Sequence, residues 1–329
     1  MIKFFSNKYI LIIFVGVLSL FAGVFMEKYF FKGTPCRSDF VFINPLIRCS
    51  KIYSISKQEY VSAKSQITGY LEKEKTDGKL AIFSVYFRDL DNGPTFGINE
   101  DDSFVPASLL KLPLAITYFG LAEGNPGLFG EKLSFNWKDE TNLDPYYESS
   151  HRMNPNTNYT IEELVFRMLT YSDNVAYYGL LGHLKDINPN KDLLLQTFRE
   201  LGIIDPKEFS DETIYTKQYA SILRGLYNAS YLSKESSEKI LSILSQGDFN
   251  QGIVSGVKDG TIVSHKFGER SFSATGQLKE LHDCGVVYYP NNPYLLCVMT
   301  EGFDFSALSD VIKTVSKMVY DEVDSRKIN

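Results

Sequence analysis

Strand-forming sequence stands at both ends of the body of this chain, with helical sequence between. Near the front, Leu80 to Asp89 (LAIFSVYFRD) is rich in β-formers, and Asp91-Asn92-Gly93-Pro94 supplies a turn before Thr95 to Asn99. Near the back, Thr261 to Lys266 (TIVSHK), Cys284 to Tyr289 and Tyr294 to Thr300 read as three more strands, the last two joined across Pro290-Asn291-Asn292-Pro293. A lone hairpin is marginal in water, so the two ends must meet in one antiparallel sheet. The fold class expected is therefore α+β, an antiparallel sheet formed by both chain ends with a helical block.

The helical block has legible punctuation. Lys57 to Lys75 has amphipathic spacing, and Leu109 to Ala122 is almost wholly apolar, as a buried central helix would be. Asn125 to Asn158 is long and aperiodic. Thr160 and Glu163 have capping-box spacing before a helix that runs to Tyr171, and Val175 to Leu184 follows. Asp192 to Leu201 ends at Gly202 as a carboxyl cap would, and Lys217 to Asn228, Ser233 to Ser245 and a closing helix Phe305 to Val323 complete the series.

Tyr9 to Met26 carries no charge and is flanked by Lys3, Lys8, Glu27, Lys28 and Lys32, which predicts a membrane-spanning helix. No small-x-small cleavage site closes the run and no Cys follows it, so an uncleaved N-terminal transmembrane anchor is expected, with the body extracytoplasmic. The chain divides accordingly into an anchor (1–30), a linker (31–56) and a folded domain (57–329). A net charge of -6 with no Lys/Arg block argues against a nucleic-acid partner. The four cysteines form two local pairs: Cys36 with Cys49 reads as a disulfide, whereas Cys284 with Cys297 would face each other across a hairpin as either a disulfide or two thiols. No CxxC or His/Cys cluster points to a metal, and no cofactor is expected.

Chemistry is concentrated in Phe104-Val105-Pro106-Ala107-Ser108-Leu109-Leu110-Lys111. On a helix, positions three apart share a face, so the Ser108 hydroxyl and the Lys111 amine point into the same space. A buried amine held partly neutral can take the proton of a hydroxyl and make it a nucleophile. A solitary serine-x-x-lysine would more often be a capped helix start.

Two further motifs follow in order: Ser172-Asp173-Asn174, and Lys266-Phe267-Gly268 on a strand, at separations 172 - 108 = 64 and 266 - 172 = 94. Together with the flanks TIEELVFRMLTYSDNVAYYGLL and VSHKFGERSFSATGQLKELHDCGVVYYPNNPYLLCVMTEG, the set resembles the SxxK, SDN and KTG motifs of class A β-lactamases and penicillin-binding proteins, over roughly Leu80 to Val323. The resemblance implies an acyl-enzyme on Ser108, with Lys111 as proton acceptor and Ser172 as a shuttle to the leaving nitrogen. It implies that Asn174 holds the substrate's side chain and that Lys266 binds a substrate carboxylate. An oxyanion site would come from the backbone N–H groups of Ser108 and Glu269, with Gly268 allowing close approach of the strand and Asp173 bracing its loop. Its substrates would be β-lactams or peptidoglycan stem peptides, and a bacterial, monomeric protein is expected.

Two departures stand out. Phe267 replaces the hydroxyl residue that would help bind the carboxylate, so recognition should weaken or the substrate differ. The connection from Gly202 to Lys217 is shorter than the loop that carries the family's deacylating Glu and its nearby Asn. Glu208 is the candidate base, with Glu212 beside it and neither having an Asn at the family's spacing; the alternative is two solvated carboxylates. A Ser-His-Asp rival would draw on His151, His265 or His282 with Asp283, but there is no GxSxG elbow and His265 should face away from Lys266. The leading expectation is a serine β-lactamase-like hydrolase. The alternatives are a D-alanyl-D-alanine carboxypeptidase-like penicillin-binding protein with slow deacylation, or a non-catalytic wall-binding module.

Overall fold

The computed structural model describes residues 13–19, 21, 25, 40–48, 60–91, 93–134, 146–151, 153–154, 157–203, 213–272 and 278–326. It divides into two units, one of residues 1–41 and 45–51, the other of residues 42–44 and 52–329. In the first, residues 13–19, 21 and 25 are helical and Pro45–Arg48 forms one 3₁₀ turn. Most of the expected anchor lies outside the described residues, and among the described residues no helix is long and apolar enough to cross a membrane. Cys36 and Cys49 also lie outside them.

The second unit holds the expected sheet. Strands β1 (Leu80–Asp89) and β2 (Thr95–Ile98) from the front join β3 (Val263–Ser271), β4 (Lys279–Val287) and β5 (Tyr294–Gly302) from the back. Their order is β2-β1-β5-β4-β3, all antiparallel, so β1 meets β5 where the two ends join and β3 is an edge. One face is covered by α1 (Val61–Thr76) and the carboxyl-terminal helix Phe305–Ser325, whose Leu308, Val311, Ile312, Val315 and Val319 pack with Ile67, Leu71, Phe83 and Leu296. These positions recur at helical spacing on one stripe, which is why a strongly amphipathic helix docks there. Cys284 and Cys297 are direct partners across β4 and β5 and are joined as a disulfide.

The helical block covers the other face. Its centre is α2 (Lys111–Gly124), in which every residue from Lys111 to Phe119 is buried. A helix that is apolar all round can only sit in a core. Around it are α3 (Ile161–Thr170), α4 (Asn174–Ile187), α5 (Leu193–Glu200), α6 (Thr216–Tyr227) and α7 (Lys234–Leu244). The capping box at Thr160 and Glu163 is formed in both directions, Asp192 caps α5, and Gly202 takes the left-handed φ of 68° that ends it.

Three expected boundaries move, the first being β3, expected over Thr261 to Lys266 and found at Val263–Ser271. The segment around Ser108 is a 3₁₀ turn, Ala107–Leu110, that hands over to α2 at Lys111. The β4 strand begins at Lys279, five residues before the apolar run at Cys284, because Glu280 and His282 are buried against Val105, just ahead of the turn that carries Ser108, and Asp283 against His265.

Candidate active site

The 3₁₀ turn matters to the chemistry. Side chains three apart nearly eclipse in such a turn, and the Lys111 amine comes to 2.9 Å from Ser108 Oγ. The preceding residue, Ala107, has φ of 47°, a conformation that is costly for a residue with a Cβ and is retained only where the surroundings impose it. Those surroundings come from β4 and β3. His282 Nε2 lies 3.0 Å from the Val105 carbonyl, and the Val105 N–H donates to the buried carboxylate of Glu280 at 3.4 Å. On β3, a Cβ added to Gly268 would lie 2.9 Å from the Pro106 carbonyl oxygen and 3.1 Å from the Leu109 nitrogen. Glycine is what lets the strand lie against the turn.

Ser172 sits between α3 and α4, also at positive φ (51°). Asp173 caps α4 by accepting from the Val175 and Ala176 N–H groups at 2.9 and 3.1 Å, and its other oxygen is 3.4 Å from Arg167. This is the bracing role expected of Asp173. Arg167 in turn donates to the His151 carbonyl. The loop thereby presents the Ser172 hydroxyl 3.0 Å and the Asn174 amide oxygen 2.6 Å from the Lys111 amine, with the Ser172 carbonyl at 2.5 Å.

Four oxygens therefore surround one amine. Two of them, the Ser172 carbonyl and the Asn174 amide oxygen, can only accept, whereas the hydroxyls of Ser108 and Ser172 can also donate. A neutral Lys111 satisfies this set by donating to the two obligate acceptors and receiving a proton from a hydroxyl. Burial, followed by the charge of Lys266, pushes the Lys111 amine well below its usual value, against opposing pulls from Asp173 and Glu269.

Lys266 closes the arrangement from β3. Its amine donates to Ser172 Oγ at 3.1 Å and to the Phe267 carbonyl at 2.8 Å. Burial brings it down to about 7, opposed by Asp283, Glu269 and Asp248. The Ser172 hydroxyl is thus shared by two lysines, a bridge suited to passing a proton.

The remaining expected residues fall as follows. The Phe267 ring does not line the site with a polar group; it is buried, stacked on Phe249 at 4.2 Å and edge-on to Tyr147 at 5.5 Å, and it offers Lys266 both its carbonyl and its ring face, 4.1 Å from the Lys266 amine. Glu269 is pushed up to about 7, chiefly by burial, while its carboxylate accepts from the Tyr147 N–H at 3.2 and 3.3 Å. Glu208 and Glu212 lie outside the described residues. His265 faces away from Lys266, as its place on the strand predicts, and pairs with Asp283 at 2.8 Å in the interior. His282 and Asp283 are consequently not a pair with each other. Among the described residues no His, Cys, Asp and Glu cluster could hold a metal ion.

Tyr147, Glu280 and His282 were not foreseeable as site residues from spacing. The available signal was a tyrosine pair in an otherwise polar, aperiodic segment, and four ionisable residues, Lys279, Glu280, His282 and Asp283, at the start of a strand.

The α+β domain thus gathers two serines and two buried lysines within hydrogen-bond reach of one another. The chain belongs to the β-lactamase enzyme family, whose model matches residues 62–323. Its fold is shared with PBP-A (22% identity over 83% of this chain and 100% of that one, TM-score 0.66) and with a class A β-lactamase from Mycobacterium abscessus (21%, 80% and 99%, 0.65). It is shared too with a PBP-A mutant solved as its acyl-enzyme complex with penicillin G (23%, 82% and 98%, 0.66). No curated protein matches the chain.

Proposed function

We propose that this protein forms an acyl-enzyme with β-lactam amides on Ser108 and hydrolyses it. The observation that carries the reading is the buried Lys111 amine, depressed in basicity and 2.9 Å from Ser108 Oγ. Ser108 passes its proton to Lys111 as its oxygen bonds to the β-lactam carbonyl carbon. The C–N bond then breaks, and the proton travels through the Ser172 hydroxyl to the leaving nitrogen, completing the shuttle with no net proton change. The oxyanion is assigned to the Ser108 and Glu269 N–H groups, which the close seating of Gly268 on the turn brings towards each other. Water then cleaves the ester, with Glu208 as the proposed base.

A second reading is a penicillin-binding protein of D-alanyl-D-alanine carboxypeptidase type that deacylates slowly. The short connection between Gly202 and Lys217, with no Asn near Glu208, favours it. The penicillin G acyl-enzyme of the related fold is consistent with either reading. We place the domain outside the cytoplasm, held by residues 9–26, on the strength of the charge-free run and the Cys284–Cys297 disulfide.

A time course of intact mass with benzylpenicillin, run beside drug consumption, separates the readings. Transient adduct with consumed drug supports hydrolysis, and a persistent adduct supports the penicillin-binding type. Unmodified protein with intact drug would overturn both.

A further inference from the structure

The face of β3 that carries Phe267 also carries Glu269, since side chains two apart on a strand share a face. Lys266, the cation that would receive a substrate's carboxylate, starts on the opposite face, but its Nζ lies over the Phe267 ring at 4.1 Å from the centroid, and the Phe267 face is roofed. Tyr147 lies over it, its ring against Phe267 (5.5 Å) and Phe249 (5.4 Å) and its N–H on the Glu269 carboxylate. The Tyr146–Ser149 strap is itself pinned: Tyr147 OH donates to the Asp248 carbonyl at 2.9 Å, Ser149 Oγ to the Asp248 carboxylate at 2.6 Å, and Tyr146 OH to Gln251 at 2.6 Å. The Tyr146 ring stacks on Phe305 at 4.9 Å.

The consequence is electrostatic. Glu269 acts on both Lys266 and Lys111, and its carboxylate is held by protein N–H donors. A hydroxyl is missing where one would hold an incoming carboxylate, and a carboxylate stands two residues along the strand from the Phe267 ring over which the Lys266 amine lies. A second anion brought there would lose a donor and meet a like charge across a poorly solvated gap.

We propose that Glu269, clamped by the Tyr146–Ser149 strap, stands in for the substrate carboxylate, so that the site prefers acyl donors whose corresponding group is neutral: esterified, amidated or absent. This rests on the acyl-enzyme reading above and names the substrate class for it.

The test compares benzylpenicillin with its methyl ester, which differ only at that carboxylate, by the rate of adduct formation on the full-length protein. The ester should acylate the wild type at least about tenfold faster than the acid, a difference equal to one modest charge interaction. In Glu269→Gln the acid should speed up and the ratio should fall towards one. An acid that reacts as fast as the ester in the wild type overturns the proposal with no variant needed. A ratio unmoved by Glu269→Gln in folded protein overturns the assignment to Glu269. If neither compound acylates, the acyl-enzyme reading itself falls, which a preference for the acid would not imply.

Discussion

Replacing Gly268 by alanine tests whether the strand and the nucleophile turn form one machined contact. The new Cβ would lie 2.9 Å from the Pro106 oxygen and 3.1 Å from the Leu109 nitrogen and Cγ. Ordinary contact for such atoms begins near 3.4–3.5 Å, so β3 and the turn must separate by roughly 0.5 Å, since the Leu109 Cγ can move but the Pro106 oxygen and Leu109 nitrogen are backbone that cannot rotate away. Overpacking of this kind costs about 1–3 kcal/mol. At about 2–4 °C per kcal/mol for a domain of this size, the melting temperature should fall by roughly 2–12 °C. The kinetic effect should be larger than stability alone would give, because misplacing reacting groups by 1 Å costs about a hundredfold and half of that displacement about tenfold. The assay is the acylation rate by intact mass at a temperature where circular dichroism shows both proteins folded. Wild-type acylation with an unchanged melting temperature would refute the idea that the close approach positions Ser108.

Other expectations follow from the same geometry. Lys111→Met should cut acylation by about 10²–10⁴ and cost about 1–3 kcal/mol of stability, because the Ser172 carbonyl and the Asn174 amide oxygen lose the amine that donates to them; acylation at the wild-type rate in the folded variant would contradict the role of Lys111 as proton acceptor. Acylation should rise with pH through the depressed pKa of Lys111, because only the neutral amine accepts a proton. Glu269 pulls Lys111 and Lys266 upward, so Glu269→Gln must move the acid limb of the pH-rate profile to lower pH, and a shift to higher pH would contradict this. Replacing Cys284 and Cys297 together by serine opens a link with a sequence separation of 13, and equilibrium unfolding should register a loss of about 3 kcal/mol.

The sheet and its closing helix were legible because apolar residues there obey the periods of strand and helix. The β1 strand falls where its β-formers do, Leu80 to Asp89. The β4 strand did not, since Glu280-Leu281-His282-Asp283 is polar in composition yet buried in fact, its polar side chains finding partners on other elements: Glu280 and His282 at Val105, Asp283 at His265 and at the Ile253 N–H at 2.8 Å. Propensity cannot register partners that lie 175 residues away. The three motifs announced the serine and the two lysines, and their order along the chain was enough to bring them together. The strap was beyond reach for the opposite reason, because Tyr146 and Tyr147 make only long-range contacts and leave no periodic trace. The disulfide was half legible: hairpin pairing put Cys284 opposite Cys297, but position alone does not decide oxidation.

The central claim is that Ser108 is the nucleophile, activated by Lys111. Its most direct test is to trap the full-length protein with benzylpenicillin methyl ester, digest it, and map the modified peptide by tandem mass spectrometry beside Ser108→Ala. One intact penicilloyl group on Ser108, absent from the variant, is the predicted result. Modification of another residue, or an adduct that survives in Ser108→Ala, would contradict it.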